Sequence, residues 1–521
     1  MKKILLAFSV VCLLAGCGGD DDDDLFVAPD RKVSGQATAP SGTVAMLEPL
    51  DLFEVVMGVF IPSATAAITG LDPVKGATVE LIRVDDNGDQ VGEVLASTTT
   101  SISGNYTLTL PAGVNLAGNL VVRIEGGGTE MRAQVVERSV DINPVSEYVL
   151  QSFVESGTSL ETLTTSSVVK LTGQVEEFDL TAGTDLADMI AKLENETGGF
   201  VDAAIETINS EAGDVSAVAG DYRLHVFQYG LFDTDNADVA TFGTDVWTSE
   251  ISLADGGSGD VDLTLTGEDS AYSNFTASTG PNFSLSYFAE TTVDNDSFAG
   301  LYSSDGILSV ESPFEENIDG DFGFRFPPSV SQFQKALNDD IFFAVSDDAA
   351  VRYAVVEGAV DPNQREGDEV FRGLEVLVQT PDAADASVLN GYYGRVYLGA
   401  FRSAGGQLEF EVESGKLAFN GVAGGTTGVN GGLDVLAQDN QNIAQTGAGA
   451  VSYATTTTAE DLDIAYAVAA DGSLSIDGSP VDGMTSADGT LIIFNEAEAV
   501  DDGNPGDEFY STVDTSYTLA V

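Results

Sequence analysis

The chain has almost no histidine or cysteine, the side chains behind most nucleophile–base pairs and zinc centres, and its carboxylates are too abundant to single out a catalytic pair. Among 521 residues there is one histidine, one tryptophan and two cysteines, and both cysteines, Cys12 and Cys17, fall at the very start. No disulfide can staple the body of the chain, so stability in an oxidising compartment rests on packing and sheet hydrogen bonds. Histidine-dependent nucleophilic chemistry would have to use His225. That residue sits in the strand-like run Tyr222-Arg223-Leu224-His225-Val226-Phe227 with no G-x-S-x-G elbow, and a structural or solvent-facing role is expected. Basic residues are scarce as well: 20 face 84 acidic ones, a net charge of -64 at pH 7. Such a surface repels phosphate backbones and anionic headgroups, so no nucleic-acid partner is expected. Its plain role is solubility, in surroundings where salt screens carboxylate repulsion. No apolar run of about 18 residues, the length of a membrane span, follows the first sixteen positions.

What is present begins with an address. Lys2 and Lys3 precede an apolar run from Ile4 to Leu14, then Leu14-Ala15-Gly16-Cys17, Gly18-Gly19 and the aspartates Asp20 to Asp24. A positive start, a short apolar region and small residues form a secretory signal too short to span a bilayer. The segment resembles the lipobox of bacterial lipoproteins. The resemblance implies cleavage before Cys17, acylation of its thiol and of the new amino terminus, and hence a membrane anchor. More than one acyl chain gives stable anchoring, at about 0.8 kcal/mol per buried methylene. Residues 1–16 are then the signal peptide and 17–30 an acidic tether; loss of Lys2 and Lys3 takes the charge to -64 - 2 = -66. Glycine rather than aspartate after Cys17 favours the outer membrane, on its periplasmic or cell-surface face.

Residues 31–142 read as strands and tight turns. Ala77 to Ile82 alternates with the strand period, and Asp86-Asn87-Gly88-Asp89 supplies a hairpin turn. Val33-Ser34-Gly35, the run from Gly76 to Leu81 and Gly104-Asn105-Tyr106-Thr107-Leu108-Thr109-Leu110-Pro111-Ala112-Gly113 together resemble a carboxypeptidase regulatory-like domain. That family implies an immunoglobulin-like or transthyretin-like β-sandwich serving as a spacer or binding module. No zinc pair of the H-x-x-E type accompanies it, so no peptidase is expected. An insertion at 40–69 departs from the family pattern. It carries the apolar run Leu52 to Ile61, which is either a lid on the sandwich or an exposed contact.

Between 143 and 212 the period changes to that of short amphipathic helices, a helical joint. Asn143-Pro144 has the form of an N-cap followed by proline at N1. Four patterns follow: one through Val145 to Phe153, one through Val168 to Phe178, a third from Thr184 to Leu193, and a fourth from Phe200 to Ile208.

From 218 onward the chain is rich in strand formers, glycine and Asp-Gly turns, and one unit occurs twice, at 218–381 and 389–521. Gly220-Asp221-Tyr222 answers Gly391-Tyr392-Tyr393; Ser304 to Ser309 answers Ala470 to Ser475; and Ala359-Val360-Asp361 answers Ala499-Val500-Asp501. Eight to ten short strands per copy predict two tandem up-and-down barrels, with a single β-propeller as the alternative. The first copy holds an extra segment, Phe314 to Asp340, in which a short helix is expected from Val330 to Leu337. The fold class is thus mainly β: a sandwich, a helical joint, then a duplicated antiparallel region.

Chemistry is harder to find. Asp85 to Asp89, Asp233 to Asp238 and Asp294 to Asp296 offer oxygen ligands, but none fits the EF-hand loop, and turn formation explains them. Tyr392, Tyr393, Tyr397 and Phe401 are strand aromatics able to line a ligand site or fill a core. Gly391-Tyr392-Tyr393-Gly394 resembles the barrel halves of surface lipoproteins that capture host proteins. The function expected is a non-catalytic, lipid-anchored envelope module that binds a protein, a glycan or a small apolar ligand. A structural or assembly accessory of the outer membrane is the alternative, and a hydrolase a more distant one. The only site residue named is Cys17, for lipidation; no cofactor, metal or catalytic residue is assigned.

Overall fold

The computed structural model describes residues 31–41 and 68–520, apart from short segments at 127–128, 235–240, 258, 278–282, 320–321, 337–340, 357, 403–407, 423–432, 446–450, 459–464, 477–478 and 502–509. Cys17, the tether and the apolar run Leu52 to Ile61 lie outside the described residues.

The first unit begins with β1 (Lys32–Gln36), β2 (Thr38–Pro40), β3 (Leu71–Pro73), β4 (Thr78–Val84), β5 (Gln90–Thr99), β6 (Asn105–Thr109), β7 (Leu120–Gly126) and β8 (Thr129–Gln134). β1 pairs with β6 and β2 with β3, while the other four form a sheet in the order β5-β4-β7-β8. Val33, Tyr106 and Leu108 from one layer share a core with Val79, Leu81, Val122 and Ile124 from the other, which makes the sandwich. Successive strand residues point to opposite faces. Ile82, Val84 and Val121 are therefore buried on the far side of the four-stranded sheet, against helices.

Three α-helices supply that layer. α1 (Pro144–Glu155) starts with a capping box: Ser146 N donates to Asn143 Oδ1 at 2.8 Å, and Asn143 N donates to Ser146 Oγ at 3.0 Å. α2 (Thr165–Glu176) is capped by Thr164, whose Oγ1 accepts from Ser167 N. α3 (Leu186–Asn209) replaces two of the four expected helices with one of 24 residues, running straight through Gly198-Gly199. Each glycine costs about 1 kcal/mol against alanine in a helix. Burial of Met189, Leu193, Thr197, Val201 and Ile205, one per turn, overrides it. The helices are thus less a joint than a third layer, sharing one core with the sandwich sheet.

The second unit contains β9 (Gly220–Thr234), β10 (Thr241–Gly257), β11 (Asp260–Ala277), β12 (Phe283–Tyr302), β13 (Ile307–Ser312), β14 (Glu315–Asp319), β15 (Phe322–Phe326), β16 (Ser329–Ala336), β17 (Ile341–Val356) and β18 (Ala359–Gln379). Eight of them close an antiparallel ring in the order β17-β16-β13-β12-β11-β10-β9-β18, with β18 pairing back onto β17. The product is a barrel, with one continuous ring in place of the radial blades of a propeller. Several strands are long rather than short, up to 21 residues in β18. Closure is confined to one end. There β12 meets β13 only through Gly300 to Tyr302, and β16 meets β17 only through Gln334 to Ala336. Beyond that collar β15 takes the place of β16 beside β17, and β14 forms the border. The expected helix at Val330–Leu337 is overturned: Ser329–Ala336 is a strand whose six ladder pairs with β13 outweigh local helix propensity.

The third unit comprises β19 (Asn390–Arg402), β20 (Leu408–Asn420), β21 (Leu433–Gln445), β22 (Val451–Thr458), β23 (Tyr466–Val468), β24 (Ser473–Ile476), β25 (Ser479–Thr485), β26 (Ile492–Asp501) and β27 (Tyr510–Ala520). Its order, β22-β21-β20-β19-β27-β26-β25-β24-β23, is that of the barrel, but among the described residues no pairing closes it, so it is an open sheet where a second barrel is expected. The long β12 is represented by two pieces, β22 and β23, and among the described residues no ladder joins them. The duplication extends to single hydrogen bonds. Gly306 N donates to Ser303 O and Lys335 N to Gly306 O; Gly472 N donates to Ala469 O and Thr485 N to Gly472 O.

Candidate functional site

Tyr222 and Tyr393 anchor the starts of equivalent strands. Each follows a 3-10 turn capped by an aspartate, Asp214 for Val215–Ala217 and Asp385 for Ala386–Val388, whose carboxyl accepts from the backbone two residues on. Each lies two residues after a glycine of positive φ, Gly220 at 155° and Gly391 at 136°. Tyr393 and Tyr397 are core, whereas Tyr392 is 78% exposed. The side chain of Phe401 lies outside the described set.

Residues 222, 224 and 226 of β9 face the barrel interior, where Tyr222, Leu224 and Val226 pack with Ile251, Leu263, Tyr302 and Phe342. Deeper along the ring the interior turns polar: Gln228, Glu375 and Glu369 are buried on inward positions of β9 and β18. Burial pushes the Glu369 carboxyl up to about 7, against the opposing pull of Arg352, whose Nη1 lies 3.6 Å from Glu369 Oε1.

The alternate residues of β9 face outward, but not into water. Phe227, with Val246, Ile341, Val376 and Val378, packs against Met484, Leu491 and Ile493 of the third unit. The two β units are joined by this seam, and Tyr229 reaches across it to Phe410 with ring centroids 5.9 Å apart. His225 belongs to the same outward row, opposite Thr248 on β10 and Val376 on β18. It is fully buried, and neither ring nitrogen has a hydrogen-bond partner. Burial, reinforced by the Arg223 charge two residues away, depresses its pKa to about 3. The structural role expected of it is therefore a buried one. Arg223 itself bridges the units, with Nη1 donating to Ser473 Oγ at 3.4 Å and Nη2 3.6 Å from Glu250 Oε1.

On the third unit the outer face continues past the seam and is bare. Tyr392, Val396, Val412, Val451 and Tyr453 are 43–78% exposed. The ladders place all five on one face: Leu398 lies opposite Val412, and Ala400, Phe410, Ile443 and Tyr453 form one cross-strand row. Sequence reasoning singled out Tyr392 but not the other four. Their signal is the strand period, readable only once the register is known.

Of the three acidic runs, Asp85 to Asp89 is the one described as a turn. Asp85 Oδ1 accepts from Asn87 N at 2.9 Å and Asp89 N at 3.0 Å, and the latter bond leads in holding its carboxyl below the ordinary range. Asp233 is the penultimate residue of β9, before an undescribed segment, and the turn expected at Asp294 to Asp296 is overturned, since these residues lie within β12, where Asn295 and Asp296 pair with Thr266 and Leu265 of β11. Among the described residues no three His, Cys, Asp or Glu side chains converge as metal ligands. A cleft of about 490 Å³ opens between α3 and the collar turn, lined by Asp202, Glu206, Glu211 and Asp305 among others.

No family model matches the chain, and no curated protein matches it. Among solved structures, an AttH-type protein from Nitrosomonas europaea is 10% identical, with a TM-score of 0.20 over 59% of this chain and 94% of that one. OprB of Pseudomonas putida, in a low-pH structure, is 9% identical with a TM-score of 0.18, covering 59% and 93%. A 9R-lipoxygenase from Cyanothece is 12% identical with a TM-score of 0.12, and the match spans 44% of its length. Likenesses this slight carry no argument about function.

Proposed function

We propose that the protein is a lipid-anchored module of the bacterial cell envelope that binds a macromolecular partner and is not an enzyme. Cys17 carries the anchor, the aspartate run spaces the body from the membrane, and the regulatory-like sandwich with its helical layer is the stalk. The duplicated β units present the binding surface. The observation that carries this reading is the bare outer face of the third unit, where Tyr392 and Tyr453 stand 78% and 62% exposed beside three exposed valines. Exposed apolar groups gathered on one face mark contact sites, and tyrosine supplies large contact area at low entropic cost. A protein or glycan of the envelope or its surroundings suits that surface better than a small ligand enclosed in the barrel, whose collar end is filled by Tyr222, Tyr302 and Phe342.

Two measurements test the reading. Replacing Cys17 with Ser should move the protein from the membrane fraction to a precursor or a soluble product, and equal membrane retention would reject the anchor. Pull-down from intact cells should recover a partner with the wild-type chain and lose it with the Tyr392→Ala, Tyr453→Ala double variant. Recovery of the same partners by both would reject the face.

A further inference from the structure

The sheet of the third unit ends at β22, whose border is unlike those of β5, β8, β14 and β23. A border strand offers a row of unpaired N–H and C=O groups, and folded proteins guard it with charge, proline, bulges or shortness. β14 carries Glu315, Glu316 and Asp319, β8 carries Glu130 and Arg132, and β5 carries Glu93 with a register shift in its ladder. β23, at the opposite border from β22, is three residues long. β22 has none of these guards. Its eight residues, Val-Ser-Tyr-Ala-Thr-Thr-Thr-Thr, pair with β21 in unbroken register. Among the described residues nothing pairs with its other side, and Val451 to Thr455 are exposed on both faces. No charged residue occurs from Asn440 to Ala459.

We propose that β22 is a self-association edge, at which two copies pair their β22 strands antiparallel across a two-fold axis and join two nine-stranded sheets into one. Charge chooses the occupant. A chain of net charge -64 attracts cationic strands from a distance, yet this border holds no carboxylate to receive one. It fits an uncharged extended strand rich in β formers, and the chain supplies that strand itself. With the axis through Thr455, residues Ser452 to Thr458 all find partners on their own face of the sheet: Ser452 opposite Thr458, Tyr453 opposite Thr457, Ala454 opposite Thr456 and Thr455 opposite its own copy. Such cross-strand pairs of aromatic, β-branched and hydroxyl side chains are favourable in antiparallel sheets. An interface of this kind is isologous and closes at the dimer. The repulsion between two acidic copies is screened by salt, so association strengthens as ionic strength rises.

The test is sedimentation velocity on the full chain carrying Cys17→Ser, from micromolar to submillimolar concentration and from low to high salt. A monomer–dimer equilibrium that shifts toward dimer with salt is expected. Thr455→Asp sets two carboxylates face to face on the axis and should raise the dissociation constant at least tenfold, whereas the β-branched Thr455→Val should leave it within a factor of a few. Hydrogen exchange on the unsubstituted strand gives a second readout, with protection of Val451 to Thr458 increasing with protein concentration. A monomer throughout the range, a dimer indifferent to Thr455→Asp, or concentration-dependent protection confined to other segments would overturn the proposal. The pairing does not rest on the binding face, which stays open in the dimer. A monomer that still captures its partner would therefore reject the edge alone.

Discussion

Arg132 on β8 and Glu147 on α1 form a two-pronged ion pair across the sandwich–helix boundary, with Nη2 to Oε1 at 2.7 Å and Nε to Oε2 at 3.1 Å. Glu147 is buried, and Gln151 Nε2 donates to the same Oε1 at 2.7 Å. Removing one member of a buried pair strands the other charge and costs about 3–5 kcal/mol. Arg132→Met should therefore unfold the N-terminal unit at markedly lower urea, whereas Arg132→Met with Glu147→Leu should recover much of the loss. Urea titrations of the single and double variants check it, and equal midpoints for the two would contradict the pairing argument.

His225 makes stability depend on pH in one direction. Its folded pKa, about 3, lies below the ordinary 6.5, so the fold holds it neutral while the unfolded chain binds a proton. The contribution is favourable above pH 6.5 and is lost as pH falls from there toward 3, at up to about 1.4 kcal/mol per pH unit. His225→Leu should flatten that part of the profile and raise stability at pH 5, since the unpartnered ring nitrogens go as well. Melting temperatures of both proteins between pH 7 and 4.5 give the answer, and parallel curves would count against the assignment.

Glu369 works in the opposite sense. Its carboxyl titrates near 7 in the fold against an ordinary 4.5, so its neutral form is favoured by folding and stability is lost as pH rises between those values. Glu369→Gln should stabilise the barrel at pH 8 and change little at pH 4, as read from denaturant midpoints at the two pH values.

Gly373 sits on β18 opposite Gln228, where an added Cβ would lie 1.9 Å from the Phe227 carbonyl oxygen. Since neither backbone can yield without breaking the ladder, Gly373→Ala should cost several kcal/mol, at the severe end for a single substitution. The control is Gly358→Ala, where no atom lies within 4 Å and only the left-handed φ of 82° is strained. Thermal melts of the two variants rank them, and equal losses would contradict the close approach.

The barrel and the third unit share the seam and own their cores, so limited proteolysis should leave a folded fragment from about residue 215 to the end. Contacts with the helical layer include the polar pairs of Lys170 with Glu311 and of Asp179 with Arg325 and Tyr353, with Val330 of β16 adding a partly buried apolar contact, whereas the seam is an apolar core. Fragmentation within 215–521 with no stable core would contradict this division.

Much of this architecture was legible in local pattern. The Asn143-Pro144 cap, the strand alternation at Ala77 to Ile82 and the paired Asp-Gly turns at 305 and 471 each depend on neighbours in sequence, and each is found where the pattern puts it. What escaped depends on partners far along the chain. Ser329–Ala336 becomes a strand because β13 lies beside it. α3 runs through two glycines because the sheet beneath rewards a continuous apolar stripe. His225 is buried because a second sheet covers an outward strand face, and no pattern around residue 225 records that cover. The exposed face holding Tyr392 and Tyr453 was equally hidden, since those residues are far apart in sequence and join only through three ladders.

In the barrel, β12 is a single strand of twenty residues locked between β11 and, at the collar, β13, so a shift anywhere along it propagates round the ring. Its counterpart in the third unit is described as two pieces, β22 and β23, and among the described residues a shift in β22 ends at a border. The two copies therefore differ mechanically: a substitution that shifts β12 strains a closed ring, whereas one that shifts β22 is felt, among the described residues, through β21 alone.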